Sequence, residues 1–205
     1  MVDAGKVTPV DRPRIASRAV FIDRDGVIFR NRDDYIKNWA EVELLPGAVD
    51  AIVRLSQAGL RVVLLTNQSA IGRRIVSRQV VEDIHHRLGQ IVVAAGGRID
   101  AVLMCPHHPA AHCRCRKPQP GLLFEAETQM GIHLASSWLV GDQPSDIDAA
   151  VAAGCFPILV RPLNGSAAGD DLPIACPVFE SLSGAAEFVL IASRRQTAAL
   201  EASAP

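Results

Sequence analysis

The sequence predicts an α/β fold, a three-layer sandwich in which a mostly parallel sheet carries helices on both faces. Three observations lead there. Short apolar runs alternate with amphipathic stretches of helical period; most of the apolar runs end in polar or acidic residues; and the helical stretches stop at glycines that let the chain turn back. In sheets of this kind ligands gather at the carboxyl ends of the strands.

Taken in order, Ala19-Val-Phe-Ile22 is a buried strand delivering Asp23, Asp25 and Gly26 at its end. A helix over Ala48 to Ala58 puts Val49, Ile52, Val53 and Leu55 on one side and stops at Gly59. Arg61-Val-Val-Leu-Leu65 is the second strand, ending in Thr66-Asn67. Ser77 can cap a helix whose apolar stripe is Val80, Val81, Ile84, Leu88, Ile91 and Val92, closed by Gly96-Gly97. His85 and His86 flank that stripe and read as solvated. Ala101-Val-Leu-Met104 is a strand ending in Cys105, and Leu122 to Met130 a helix. Trp138-Leu-Val140 ends in Gly141-Asp142, and Pro144-Ser145 opens a helix that Gly154 closes. Phe156 to Val160 is a fifth strand, Pro177 to Phe179 a short edge strand, and Glu187 to Leu200 a terminal surface helix. Residues 1–16, the Gly/Ala/Asp-rich stretch 164–171 and a tail from 199 are expected to be weakly ordered. One domain over 17–198 is left.

Composition narrows the classes of function. A chain of 205 residues with 49% hydrophobic and 21% charged residues is ordinary for one globular domain, and it needs no disulfides to hold a core. Lys and Arg number 21 against 22 Asp and Glu, a formal charge of −1, which argues against a nucleic-acid partner held by a whole-surface positive field. No apolar run approaches the ~18 residues that span a bilayer, so no membrane partner is expected. The charged first residues lack the apolar core of a signal peptide. A cytoplasmic monomer is the expectation, with its five cysteines as thiols or metal ligands.

Four strand ends supply Asp23 and Asp25, then Thr66 and Asn67, then a Cys-rich loop with Arg116-Lys117, then Asp142. Brought into one crevice, they suit phosphoryl transfer to an aspartate. Asp23 would be the nucleophile, and Mg²⁺, a hard cation, would take oxygens from Asp23, Asp25 and Asp142, one of them a backbone carbonyl. Asp25 could protonate the leaving group and then deprotonate the hydrolytic water. Thr66 and Lys117 would hold the phosphoryl oxygens.

Phe21-Ile-Asp-Arg-Asp-Gly-Val-Ile28, Leu65-Thr-Asn-Gln-Ser69, Arg116-Lys117-Pro118, and Gly141-Asp142 with Asp146 resemble, in order, the four motifs of the haloacid dehalogenase-like phosphatases. The resemblance spans about residues 19–160 and implies a Rossmann-like haloacid dehalogenase fold. Thr66-Asn-Gln-Ser-Ala-Ile-Gly-Arg73, Cys105-Pro-His-His-Pro109 and Cys113-Arg-Cys-Arg-Lys-Pro-Gln-Pro-Gly121 are most similar to the D-glycero-D-manno-heptose 1,7-bisphosphate 7-phosphatases. That family implies the same roles for Asp23, Asp25, Thr66 and Lys117, with a small phosphorylated sugar as partner and a place in making nucleotide-activated heptose. It also implies a substrate loop over Asn31 to Tyr35, of which Arg32, Asp33, Asp34 and Tyr35 act with Asn67, Gln68, Ser69 and Arg116 on substrate. Gln143 departs from the pattern, which has a lysine there.

Cys105-x-His107 and Cys113-x-Cys115 offer three thiolates and an imidazole, a set that closes a tetrahedral structural Zn²⁺ site. The resembling family binds zinc through the same ligand types. His108 and His112 compete for the histidine position, and the family pattern puts His107 first. The intervals from Asp23 to Thr66 and from Thr66 to Lys117 leave no room for a large cap domain.

Plainer readings stand beside these. An aspartate at a strand end or helix start also caps or turns, clustered cysteines also pack as small hydrophobes, and Asp146 divides between helix dipole and orienting Lys117. Histidinol-phosphatase shares the Asp-x-Asp and the Cys/His loop, though Ser69-Ala70 stands where an acidic residue is expected in that family. A phospho-receiver or zinc-stabilised interaction module is the non-enzyme alternative, which Asp25 disfavours as a second strand-end acid.

Overall fold

The computed structural model describes residues 17–161 and 175–202. The stretches 1–16 and 164–171 expected to be weakly ordered lie outside the described residues.

The chain alternates strands β1 (Ala19–Ile22), β2 (Arg61–Asn67), β3 (Ala101–Cys105), β4 (Trp138–Gly141), β5 (Phe156–Val160) and β6 (Val178–Phe179) with helices α1 (Ala48–Gln57), α2 (Ser69–Gly72), α3 (Arg78–Ala94), α4 (Gly121–Met130), α5 (Pro144–Ala152) and α6 (Leu182–Ala202). Every strand pairing is parallel, and the order across the sheet is β3-β2-β1-β4-β5-β6. The order reverses at β1 and β4, the place where a doubly wound sheet opens a crevice beyond its carboxyl ends.

Alternation along the central strand builds both layers of core. In β1, Val20 and Ile22 face one side with Val62, Leu64 and Val140, under Ile52 and Leu55 of α1, Ile84, Leu88 and Val92 of α3, and Ala185 and Val189 of α6. Ala19 and Phe21 face the other with Val63, Leu65 and Leu139, over Leu122, Leu123 and Ala126 of α4 and Ala149 and Ala150 of α5. All four residues of β1 are fully buried, which is why this strand reads as a continuous apolar run.

Some elements differ from the expectation. β2 runs through Thr66 and Asn67, which stay paired with Met104 and Cys105. α6 starts at Leu182, not Glu187, and continues to Ala202, past the expected start of the tail; Leu182, Ala185, Ala186 and Val189 bury its first half, so it is less of a surface helix than its later half suggests. Between β1 and α1 the chain makes only bridges at Asp25, Phe29 and Leu44 and one 3-10 turn, so no second domain covers the crevice among the described residues.

Candidate active site

β1 stops where Asp23 and Asp25 begin, and Gly26 then turns the chain at φ 88, in the left-handed region that favours glycine. A side chain at Gly26 would overlap Asp142 Oδ2 at 2.1 Å, so the turn after β1 lies directly against the carboxylate that ends β4. Gly141 likewise leaves room for Asp146, whose Oδ2 would sit 2.3 Å from an added Cβ. Two glycines thus let three acidic side chains approach one another. Carboxylate oxygens of Asp23, Asp142 and Asp146 all lie within 4.8 Å.

Lys117 enters this cluster as its counter-ion. Its Nζ donates to Asp23 Oδ1 at 2.8 Å and to the Leu65 carbonyl at 2.8 Å, and pairs with Asp146 Oδ1 at 2.5 Å. Burial opposes its charge, but Asp146 and Asp23 more than offset this and hold the ammonium above the usual lysine range. Burial pushes Asp23 up to about 7, with Lys117 pulling the other way. Burial also raises Asp142 to about 6, against a hydrogen bond from the Gln143 side chain at 2.7 Å. Asp142 Oδ1 is buried with no hydrogen-bond partner among the described residues. An orphaned carboxylate oxygen beside two further carboxylates, all hard oxygen donors, fits a divalent cation such as Mg²⁺.

Asp25 stands apart from that cluster. Its carboxylate is held by Arg24, whose Nη2 donates to Oδ2 at 2.8 Å, and by Gln68, whose Nε2 donates to the same oxygen at 2.8 Å. Gln68 Nε2 also donates to Thr66 Oγ1 at 2.9 Å, and a hydroxyl that accepts there can still donate its own proton to a substrate oxygen. Asn67 and Lys117 exchange two bonds: Asn67 Nδ2 donates to the Lys117 carbonyl at 3.1 Å and Lys117 N–H to Asn67 Oδ1 at 3.2 Å. The end of β2 is thereby clamped to the loop that carries the lysine.

A cavity of about 420 Å³ opens over these groups, lined by Asp23, Asp25, Thr66, Asn67, Ser69, Lys117 and Asp142 together with Arg32, Tyr35 and Arg116. Of the residues expected to meet substrate, Asp33 and Asp34 do not line it: both are exposed, and Asp34 is taken up by Arg32 and Lys37. Gln68 is buried and supports the floor. Asn31, Gln143, Ser145 and Asp146 line the cavity in addition. Gln143 and Asp146 form a capping box at the start of α5, where the Gln143 N–H donates to Asp146 Oδ2 at 3.0 Å, and this fixes Asp146 for Lys117.

The second cluster gathers Cys105, His107, Cys113 and Cys115. Cys105 Sγ lies 3.5 Å from Cys113 Sγ and 3.6 Å from His107 Nδ1, Cys115 Sγ 3.4 Å from Cys113 Sγ and 3.2 Å from His107 Nδ1. A regular tetrahedron with metal–sulfur bonds of ~2.3 Å has edges of about 3.8 Å, so the set fits one Zn²⁺ after a small expansion. His108 is engaged otherwise, its Nδ1 accepting from the Ala110 N–H at 3.1 Å. Arg116 and Lys117 follow the last cysteine directly.

The sheet order and the carboxylates at the β1 and β4 ends define a HAD-like hydrolase, and the family model described as HAD-hydrolase-like matches residues 114–182. The D-glycero-beta-D-manno-heptose-1,7-bisphosphate 7-phosphatase of Pseudomonas aeruginosa is 42% identical over 176 residues, 85% of this chain and 99% of that one. A D-glycero-alpha-D-manno-heptose-1,7-bisphosphate 7-phosphatase of Mycobacterium tuberculosis is 36% identical over 80% of this chain and 86% of its own. The crystal structure of D,D-heptose 1,7-bisphosphate phosphatase from Bordetella bronchiseptica, complexed with magnesium and phosphate, superposes with a TM-score of 0.80 at 39% identity, covering 85% of this chain and 98% of that one. The chain belongs to the D-glycero-D-manno-heptose-1,7-bisphosphate 7-phosphatase family of HAD-like phosphatases.

Proposed function

We propose that this enzyme removes the 7-phosphate of a D-glycero-D-manno-heptose 1,7-bisphosphate through a phosphoaspartate on Asp23, in the synthesis of nucleotide-activated heptose. The observation that carries the reading is the separation of the two strand-end acids. Asp23 joins Asp142 and Asp146 beside Lys117, whereas Asp25 turns to Arg24 and Gln68. This separation supports a reading in which Asp23 attacks phosphorus and Asp25 exchanges protons.

Asp23 attacks while Lys117 and the Thr66 hydroxyl hold the phosphoryl oxygens and offset their growing charge. Asp25 protonates the departing sugar oxygen, then takes a proton from the water that cleaves the phosphoaspartate. Asp23, Asp142 and the main-chain carbonyl of Asp25 would hold Mg²⁺, with Asp146 alongside, and the cation would supply charge neutralisation and orientation of the phosphoryl group. Arg32, Tyr35 and Arg116 would meet the sugar and its second phosphate, with Asn67 and Ser69 also lining the cavity.

Cys105, His107, Cys113 and Cys115 would hold a structural Zn²⁺ that keeps Arg116 and Lys117 aimed at the crevice. Three thiolate ligands suit a reducing cytoplasm, where the enzyme would act as a monomer. The test is turnover with Mg²⁺ on both heptose bisphosphate anomers and on histidinol phosphate. A heptose bisphosphate should lead by orders of magnitude and release one phosphate per sugar; preference for histidinol phosphate would overturn the substrate assignment.

A further inference from the structure

Arg24, between the two strand-end acids, has no part in the chemistry above, yet it is only 2% exposed. A guanidinium is costly to bury unless its charge and its donors are met. Here they are met on three sides. Nη2 and Nε donate to the Asp25 carboxylate at 2.8 and 3.1 Å, and the guanidinium lies 5.4 Å from the centroid of the Phe29 ring. The remaining arm, Nη1, is 3.1 Å from Nε2 of His85.

His85 is itself 7% exposed, on the inner face of α3. A guanidinium cannot accept a hydrogen bond, so His85 Nε2 must be the acceptor, and the imidazole is neutral with its proton on Nδ1. Burial and then the charge of Arg24 hold it in that form, bringing it down to about 3. The chain of contacts thus runs from a helix on one layer, through His85 and Arg24, to Asp25 at the crevice, whose side chain is 25% exposed. Arg24 and Gln68 converge on Oδ2 from two directions and fix the rotation of the carboxylate.

We propose that Arg24 and His85 are positioning residues for Asp25: His85 holds the guanidinium, and the guanidinium sets the angle from which Asp25 exchanges protons with the leaving group and the hydrolytic water. The proposal rests on the reading of Asp25 as acid/base. In the first step the Asp23–phosphorus bond forms, the sugar oxygen–phosphorus bond breaks, and the Asp25 proton moves to that oxygen. In the second, water oxygen bonds phosphorus, the Asp23–phosphorus bond breaks, and the water proton returns to Asp25. Both transfers depend on the carboxylate pointing along the line of the breaking or forming bond.

A purely structural pair would affect all substrates alike, and leaving-group dependence separates the two cases. kcat/KM reads the reaction up to departure of the leaving group; an alkoxide needs a proton to leave, whereas p-nitrophenolate does not. His85→Leu should lower kcat/KM about tenfold or more on the heptose bisphosphate, part of the usual general-acid contribution, and by less than about threefold on p-nitrophenyl phosphate. His85→Gln, whose amide oxygen can accept from Nη1, should restore most of the loss. Should His85→Leu fail to fold, Arg24→Lys, which keeps the charge without the fork, should show the same split. Equal losses on both substrates, or no loss on either, overturn the proposal. Asp25→Asn serves as the reference: a large loss confined to the alkyl phosphate upholds the acid/base reading, and full activity in it would sink that reading whatever the His85 variants do.

Discussion

On the Lys117 nitrogen three parts of the chain meet: the Asp23 carboxylate after β1, the Leu65 carbonyl of β2 and Asp146 of α5. That lysine was legible in the sequence because Arg116-Lys117-Pro118 lies in order between a Thr-Asn and a Gly-Asp at strand ends. Asp33 and Asp34 were not, since an irregular loop has no period from which to read direction, and Arg32 and Lys37 claim Asp34 locally. His85 was misread as solvated. Its spacing to Val81, Leu88 and Val92 puts it on the buried face of α3, so the signal was present as a histidine inside an apolar stripe. Its burial has a consequence in acid. The unfolded chain binds a proton near the ordinary histidine value of 6.5, whereas folded His85 refuses it until about 3, so more protons are bound on unfolding in that window. Stability contributed by neutral His85 is complete above pH ~6.5 and is lost as pH falls toward 3. Urea unfolding from pH 7 to 4 should show a steeper loss for the wild type than for His85→Gln; identical slopes would mean that His85 takes up its proton in the folded state.

At the scale of elements, strand ends were the most readable feature, because a buried parallel strand must be apolar and the residue after it need not be. β1 and β5 have the expected bounds, and β2 gained Thr66 and Asn67 because their backbones still pair with β3 although their side chains are polar. α2 was missed: four residues, Ser69 to Gly72, are too few to show a helical period. The start of α6 was read five residues late, because Ser183 and Gly184 interrupt its apolar pattern just where Leu182 and Ala185 are buried. The cysteine loop was visible as a pattern of metal-ligating residue types, and the structure gathers Cys105, His107, Cys113 and Cys115 while His108 Nδ1 turns to the Ala110 N–H. Cys113→Ser should reduce bound zinc from about one equivalent to near none, and turnover should fall with it because Arg116 and Lys117 leave that loop. Full zinc content in the variant would remove Cys113 from the ligand set.

For the whole molecule, the near-neutral charge of −1 conceals a local arrangement, three carboxylates near one lysine with Arg32 and Arg116 lining the same cavity. The α/β class followed from alternation of strand and helix, but the sheet order did not. Only long-range pairing places β4 beside β1, and that neighbourhood brings Asp142 to Asp23. The absence of a covering domain among the described residues leaves the crevice open, which suits a small sugar phosphate. In the proposed reaction Asp23 carries the phosphoryl group with Mg²⁺ at its side. Phosphate release from D-glycero-D-manno-heptose 1,7-bisphosphate, followed with and without Mg²⁺ in the wild type and in Asp23→Asn, tests it most directly. Steady multiple turnover is expected only with Mg²⁺, with a fall on the order of 10⁴-fold or more in the variant. Turnover that survives in Asp23→Asn, or a stable stoichiometric phosphoprotein in the wild type, would contradict it.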